Sequence, residues 1–278
     1  MSDIKISAKD VKKLRDKTGA GMMDCKKALV EAGGDYDKAI EYLRKKGQKV
    51  SEKRAGREAK EGVVIAKISD DRKRGVIVKL SSETDFVAKN EDFINLTKKF
   101  ADIALAGFPD TKEELLGLKF DNITVGDKVT DQVAIIGEKI ELASYEKLEG
   151  EQVAPYIHMG NKAAVLVGLN KGGEAAYEAG RNVAMQVAAM RPIAVDKDGV
   201  DPSVIEKEVE IGKEQARREG KPEQIIEKIA LGKLNKFFKE RTLLNQMYVK
   251  DNKKTIAAYL NSVEKGLSVT AFKHVELG

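Results

Sequence analysis

The spacing of the apolar residues changes at about Val63, and this change restricts how the chain can fold. Before Val63 the apolar residues recur three and four positions apart, as in amphipathic helices. From Val63 to Ile68 and from Gly75 to Leu80 they form short strand-like runs joined by a polar turn. A helix buries apolar side chains at every third or fourth position, whereas a strand buries them at every second position or in a short continuous run. The pattern therefore predicts a helical N-terminal unit followed by an α+β core.

Residues 1–47 are predicted to form a small bundle of three short helices. Ser7 is a suitable N-cap for the first helix and Asp35 for the third, and Gly47 is expected to end the third. So short a unit has few apolar residues to bury, and we expect it to be only marginally stable in isolation. Residues 48–62 mix acidic and basic side chains, which favours a solvated tether or an exposed helix over an RNA-binding strip.

Residues 63–150 are predicted to form one core subdomain, and residues 151–200 with 244–278 a second, related one. After its strand hairpin, the first is expected to contain helices at 91–106 and 127–137 and a strand at 140–148. The second is expected to contain paired strands at 153–158 and 163–169, a helix at 174–190 and a strand at 267–277. Each would be a small antiparallel sheet covered by helices, although no repeat of individual residues is visible.

Residues 201–243 interrupt the second subdomain and are predicted to form an antiparallel helical hairpin. Asp201 and Pro202 provide a cap and a first helical residue, and Gly220-Lys221-Pro222 separates two apolar helix patterns. Two helices joined by so short a break pack against each other. The apolar stripe either only closes this hairpin or also binds a partner or a second copy of the chain.

The composition argues against several classes of protein. Fifty basic and 45 acidic residues leave a net charge of only +5, whereas a dedicated DNA-binding protein usually has a larger excess. Aromatic residues make up 5% and Trp is absent, which disfavours stacking on single-stranded nucleic acid. No apolar run is long enough to span a bilayer, and MSDIKISAKD contains no signal-peptide core. We expect a cytoplasmic protein that binds neither membranes nor, directly, nucleic acid.

The sequence offers little for catalysis, and we expect no enzyme activity, metal or cofactor. GAGMMD begins like a dinucleotide-binding fingerprint, but Asp24 stands at the last glycine position and no strand precedes it. GxxxxGK[ST], CxxC and HExxH patterns are absent. The single cysteine, Cys25, cannot form an intrachain disulfide and lies far in sequence from His158 and His274.

The segment SSETDFVAKNEDF, residues 81–93, places Phe86 between a strand pattern and a helix pattern. We expect Phe86 in the connection or in the first turn of the helix, with Asp85 accepting a backbone N–H there. A Phe that points outward from such a position can anchor in the pocket of a partner. A Phe that points inward would pack beneath the helix, and the residues alone favour this second arrangement because Phe is usually buried.

Two segments resemble motifs of one protein family. TDFVAKN, residues 84–90, resembles the signature segment of bacterial elongation factor Ts, and LRDKTGAGMMDCKKAL, residues 14–29, resembles the other long motif of that family. The resemblance continues more weakly along the rest of the chain. It implies an N-terminal bundle of the ubiquitin-associated type and a projecting coiled coil at 201–243. The implied function is guanine-nucleotide exchange on elongation factor Tu, bound in its GDP-bound and nucleotide-free states.

The same resemblance assigns roles to individual residues. Phe86 would insert into an apolar cleft of the GTPase, Asp85 would hydrogen-bond at its mouth, and Thr84 and Val87 would shape and pack the wedge. The resulting displacement would disorder the Mg²⁺ site that helps to hold GDP.

Met22 and Met23 follow the Gly-Ala-Gly turn at which the bundle of the family meets the GTPase. Met adapts to irregular partner surfaces, and we expect one of the two to be buried and the other exposed.

Two features depart from the family pattern. Gln186, in NVAMQVAA, stands where the family often has His, so only a weak partner contact is expected there. The sequence ends at Gly278, and a further C-terminal helical module with which some members reach the GTPase is expected to be missing, with homodimerisation as one way to compensate. The rival hypothesis is an RNA- or ribosome-associated protein that uses the linker and the hairpin, which predicts a steep salt dependence of RNA affinity.

Overall fold

The N-terminal part of the chain forms three helices in the computed structural model, which describes residues 6–278. The first five residues of the predicted bundle, and with them half of MSDIKISAKD, lie outside this range. The helices are α1 (Ala8–Thr18), α2 (Met22–Glu31) and α3 (Tyr36–Arg54). Ser7 caps α1, and its hydroxyl accepts the N–H of Asp10 at 3.1 Å. Asp35 caps α3 as predicted, and α1 ends at Gly19, whose φ of 75° favours glycine.

The first half of the core is a three-stranded antiparallel sheet covered by helices. Its elements, in chain order, are β1 (Glu61–Ile68), β2 (Arg74–Ser82), α4 (Asp85–Ala88), α5 (Glu91–Gly107), α6 (Lys112–Gly117), β3 (Lys119–Phe120), β4 (Ile123–Thr124), α7 (Val125–Ile136) and β5 (Glu141–Glu149). The strand order is β1-β2-β5, and Val63 lies opposite Leu80 in the predicted hairpin. Side chains on one face of β1 and β2 pack with Phe93 and Phe100 of α5 and with Val133 of α7.

The second half contains another three-stranded antiparallel sheet and the helical hairpin. Its elements are β6 (Gln152–Ile157), β7 (Ala163–Leu169), α8 (Glu174–Met190), α9 (Pro202–Arg218), α10 (Glu223–Arg241), β8 (Met247–Tyr248), β9 (Asp251–Thr255), α11 (Ile256–Val263) and β10 (Val269–Glu276). The strand order is β6-β7-β10. In both sheets the second strand of a hairpin is central, and a strand from later in the chain completes the other edge. The α+β class predicted from the sequence is confirmed.

The two sheets pack against each other through the second face of the β1–β2 hairpin. Val64 and Ile77, which alternate with the residues under α5, are buried against Val153 and Leu166 of the second sheet. The strands of this hairpin therefore have both faces covered, which explains their nearly continuous apolar sequences. At Gly75, a side chain would place its Cβ 2.9 Å from Leu166 and from Val153, so glycine is required for this close approach.

The helical hairpin begins and ends at adjacent points of the second subdomain. Asp201 caps α9 with Pro202 in its first turn, as predicted, and Gly212 lies directly against Ala230 of α10. At the base, the N–H of Ile193 donates to the carbonyl of Arg241 at 2.9 Å. The two ends of the hairpin therefore lie next to each other, and the helices between them form a protruding segment.

The predicted end of the third helix at Gly47 is wrong. α3 continues to Arg54, and Gly47 is buried within it. A Cβ at this position would lie 2.8 Å from Ala134 Cβ and 3.0 Å from the carbonyl oxygen of Thr130, both on α7. Glycine at this position therefore allows α3 to approach α7 closely. The first part of the predicted linker, residues 48–54, is helical.

Replacing Gly47 should destabilise the protein although alanine favours helices. We expect Gly47→Ala to lower the free energy of unfolding by about 1–3 kcal/mol, because the new methyl group overlaps α7. Gly232→Ala is the matched control, since Gly232 also lies inside a helix but has open space where its Cβ would be. That variant should be stabilised by roughly 0.5–1 kcal/mol. Urea unfolding measures both changes, and an equal or increased stability of Gly47→Ala would contradict the close-approach explanation.

Candidate functional site

Phe86 lies on α4, a one-turn helix that is separate from the long helix α5. Thr84 is the N-cap residue of α4, and α5 starts only after Asn90, whose side chain accepts the N–H of Asp92 at 2.8 Å. The Phe86 side chain is 83% exposed. The inward arrangement that Phe statistics favour is therefore wrong, and the ring points into solvent.

The neighbours of Phe86 are held in place. Val87, the next residue, packs against the core of the first subdomain. The hydroxyl of Ser82 donates to the carbonyl of Thr84 at 3.0 Å, and the N–H of Lys89 donates to the carbonyl of Asp85 at 2.9 Å. Phe86 is thus an exposed apolar group on an anchored segment, the arrangement expected of a binding anchor.

Asp85 does not take the predicted capping position. Thr84 occupies the N-cap, and the Asp85 carboxylate accepts a hydrogen bond from Lys89 Nζ at 2.6 Å. This bond and the charge of Lys89 lower the pKa of Asp85 and raise that of Lys89. The pair is exposed, so the Asp85 carboxylate is ionised and accessible beside the ring.

Two pairs of adjacent residues hold the start of α4, and we call Glu83, Thr84, Glu138 and Lys139 the carboxylate clamp. Glu138 accepts two hydrogen bonds from Thr84, from its N–H at 3.1 Å and from its hydroxyl at 2.8 Å. Glu83 accepts the N–H of Lys139 at 2.6 Å. Sequence reasoning missed this contact because the two segments lie more than fifty residues apart, and no local pattern marks Glu138.

Glu83 also binds the segment that follows the bundle. Its carboxylate accepts hydrogen bonds from Arg54 at 2.6 Å and from Arg57 at 3.0 Å. Lys139 Nζ donates to the carbonyls of Ala55 and Arg57. Arg54 and Arg57 of the predicted linker are therefore already paired with an acidic group, which weakens the case for an RNA-binding strip.

The pKa of Glu83 is lowered from 4.5 to about 2. Partial burial alone would raise the pKa, since it removes water from the charged carboxylate. The Lys139 N–H and the guanidinium groups of Arg54 and Arg57 outweigh this effect. Glu83 therefore stays ionised well below neutral pH.

The two sequence motifs border one groove. Phe86 and Val87 line it on one side, and Thr18 and Gly19, at the end of α1, line it on another. Ile135 and other residues of α7 complete its wall, and its volume is about 550 Å³. The segments that resemble family motifs are thus neighbours in space although 54 residues separate them in sequence.

Met22 and Met23 are both exposed, at 59% and 76%, so the prediction of one buried and one exposed methionine is wrong. The buried face of α2 consists of Cys25, Ala28 and Leu29, and the first turn of the helix lies outside that face. Both methionines are accessible at the beginning of α2.

Gln186 is completely buried and uses its amide inside the second subdomain. Its Nε2 donates to Gln246 Oε1 and to the carbonyl of Met247, both at 3.1 Å, and its Oε1 accepts the N–H of Val249 at 2.9 Å. The predicted direct contact of Gln186 with a partner conflicts with this burial. The side chain instead fixes the β8–β9 segment against α8.

In the region that the structure describes, the single cysteine and the two histidines lie in different parts of the fold. Cys25 is buried in the bundle, and burial raises the pKa of its thiol, which makes it a poor nucleophile. His158, at the end of β6, and His274, on β10, belong to the second subdomain. Within residues 6–278 there is no cluster of three or more His, Cys, Asp or Glu suited to a metal ion, and no helix in this range is long and apolar enough to cross a membrane.

Acid should weaken the contribution of Glu83 to stability. Its pKa is lower in the folded than in the unfolded state, so this contribution is complete above pH 4.5 and is lost as the pH falls towards 2. We expect Glu83→Gln to be less stable than the wild type at pH 7 and the difference to shrink at pH 3. Glu149→Gln, which alters an exposed and distant ion pair with Arg74, is the control. Urea unfolding at the two pH values measures this, and a difference that is independent of pH would contradict the assignment.

Comparison with known proteins identifies the family of this chain. The family model for elongation factor Ts matches residues 83–278. The chain is 55% identical over 274 residues to elongation factor Ts of Christiangramia forsetii, with 99% of each chain covered. It is 55% identical to the protein of the same name from Cytophaga hutchinsonii, covering 98% of this chain and 99% of the relative, and 46% identical to that from Porphyromonas gingivalis, covering 98% of each. Both the full-length similarity and the family match lead to the same conclusion, that the chain belongs to the elongation factor Ts family.

Proposed function

We propose that this protein is a cytoplasmic guanine-nucleotide exchange factor for elongation factor Tu, and that it acts by binding without covalent chemistry of its own. One observation carries the proposal: Phe86 is 83% exposed on a one-turn helix whose next residue, Val87, packs against the core. Membership of the elongation factor Ts family supports the choice of partner. The factor would bind the GDP complex, promote release of GDP and remain on the nucleotide-free form until GTP enters.

Insertion of Phe86 supplies the free energy for this exchange. Moving a Phe side chain from water into an apolar cleft stabilises a complex by roughly 1.5–3 kcal/mol, which is about one to two decades in an equilibrium constant. The cleft must be open only in a GTPase conformation whose Mg²⁺ and phosphate contacts are disturbed. By linkage, GDP then weakens binding of the factor by the same ratio by which the factor weakens binding of GDP.

The residues next to Phe86 would support the wedge in different ways. Val87 packs against the core of the first subdomain and would hold α4 in place while the ring is seated. Asp85 is paired with Lys89 on the surface, and such exposed pairs are worth at most about 1 kcal/mol. Asp85 can therefore exchange this partner for a donor at the mouth of the cleft at little cost.

The N-terminal bundle would form a second contact with the GTPase. Met22 and Met23 present two flexible apolar side chains at the start of α2, suited to an irregular partner surface. The turn before them borders the same groove as Phe86, so one partner can cover both positions. A larger contact area would account for acceleration beyond that supplied by a single Phe.

The predicted domain arrangement is part of this proposal. The shared strand order of the two sheets supports two related core subdomains, at 63–150 and at 151–200 with 244–278. The hairpin at 201–243 is an insertion into the second of them, with its ends held together by the contact between Ile193 and Arg241.

Removing the ring should abolish most of the exchange activity and leave the fold intact. We expect Phe86→Ala to reduce stimulated GDP release from elongation factor Tu at least tenfold, the loss expected from burying one Phe fewer. Leu231→Ala removes an exposed apolar side chain from α10 and should have nearly wild-type activity. Stopped-flow release of a fluorescent GDP analogue measures the rates. Wild-type rates for Phe86→Ala would refute the wedge.

Shortening the hairpin should be tolerated. Replacing residues 196–240 with a short Gly-Ser loop connects ends that already lie side by side, and it leaves α4 and the bundle unchanged. We expect part of the exchange activity to remain. Complete loss of activity in a variant that circular dichroism shows to be folded would mean that the hairpin is essential for exchange.

A further inference from the structure

We propose that Glu138 is a positioning residue for nucleotide exchange: its carboxylate fixes Thr84 and thereby sets the direction in which α4 presents Phe86. This inference rests on the proposed function, and it assigns a role to a residue on another helix-to-strand connection. Glu138 would not contact the GTPase through this role.

The geometry places Glu138 directly opposite the start of α4. α7 ends at Ile136, and its C-cap residue Gly137 has a left-handed conformation with φ of 76°. Glu138 is thus the first residue after the helix end. The two carboxylate oxygens bind different groups of Thr84, Oε2 the N–H at 3.1 Å and Oε1 the hydroxyl at 2.8 Å. Two bonds between the same two residues fix the position of Thr84 and also its orientation.

The Thr84 hydroxyl serves this contact in place of a local cap. A Thr at an N-cap normally accepts a backbone N–H from the helix that it begins. Among the described residues, Thr84 makes no such capping bond, and its hydroxyl donates to Glu138 instead. A four-residue helix has almost no stability of its own. The orientation of α4 therefore depends on tertiary contacts, namely the packing of Val87 against the core and this bond at its first residue.

The clamp is reciprocal, which restricts the segment further. The residue after Glu138 donates its N–H to the residue before Thr84, at 2.6 Å between Lys139 N and Glu83 Oε1. Sliding or rotation of one segment against the other would break three hydrogen bonds at once. Phe86 lies two residues beyond this fixed point.

Loss of the clamp would change exchange without removing any contact with the partner. Without the clamp, α4 samples more conformations in the free protein. Binding then restricts α4 to one of them, and this loss of conformational entropy weakens binding. Because α4 carries both Phe86 and Asp85, the effect should act mainly through Phe86, the larger of the two proposed contacts. This dependence separates positioning from a direct or purely structural role.

A double-mutant cycle tests this dependence. In the wild-type background, Glu138→Ala should lower kcat/KM for GDP release about five- to tenfold. This is less than the full contribution of two hydrogen bonds to a charged group, because the clamp acts on exchange only through the orientation of α4. Glu138→Gln keeps one acceptor oxygen, so its kcat/KM should lie between those of the wild type and of Glu138→Ala. In the Phe86→Ala background, Glu138→Ala should have a much smaller effect, limited to the proposed contact of Asp85. An equal loss in both backgrounds, or no loss in the wild-type background, would overturn the proposal.

Glu114→Ala is the matched control. Glu114 accepts the N–H of Asp110 at 2.8 Å and so also binds a loop amide of the first subdomain, but at the start of α6. It should leave the rate unchanged in both backgrounds. Thr84→Val removes only the hydroxyl bond at nearly constant shape, and it tests the same contact if Glu138→Ala fails to fold.

A measurement without the GTPase separates this proposal from the proposed function. Hydrogen exchange of the amides of residues 84–89 should be faster in Glu138→Ala than in the wild type and unchanged in Glu114→Ala. Unchanged protection in Glu138→Ala would overturn the clamp. Faster exchange of these amides, together with a wild-type protein that fails to stimulate GDP release, would support the clamp and refute the exchange function.

Discussion

Burial of both faces of the β1–β2 hairpin is the constraint on which the rest of the structure depends. Val63 and Val78 face the helices of the first subdomain, while Val64 and Ile77 face the second sheet. A shift of either strand by one residue would exchange these two sets of side chains. Since both sets are buried, the register is fixed from both sides. α4 follows directly after β2. The fixed register of β2 therefore also fixes where α4 begins.

Electrostatic pairing, together with the close packing of α3 against α7 at Gly47, joins the N-terminal bundle to this core. Glu83 is partly buried, and such a position disfavours a charge unless donors surround it. Arg54, Arg57 and the Lys139 N–H provide these donors from two other segments. The same four residues therefore connect α3, the end of β2 and the turn before β5. The segment that carries Phe86 starts at this junction.

Features encoded by neighbouring residues could be predicted from the sequence. Ser7, Asp35 and Asp201 cap helices as expected, because a cap depends on a side chain and an N–H two or three residues away. The hairpin strands were also predictable, since their apolar runs are bounded by polar turns. The order in which the strands pair across the two sheets requires contacts between distant segments, and local patterns contain no information about them.

The errors have the same physical origin. Gly47 looks like a helix stop, but it meets α7 from a distant part of the chain, and close packing outweighs its low helix propensity. The exposure of Phe86 contradicts the usual behaviour of Phe and became an expectation only through the family resemblance. The partners of Thr84 and of Gln186 lie some sixty residues away. For the candidate site, the sequence thus identified the ring but not the residues that hold it.

The continuity of α3 past Gly47 has a mechanical consequence. The helix has 19 residues and is therefore about 28 Å long, and it reaches from the bundle core, near Leu43, to Arg54 beside Glu83. A helix of this length behaves as a stiff rod on the scale of a small domain. A tilt of the bundle would thus be transmitted along it to the ion pair at its far end, next to the segment that carries Phe86.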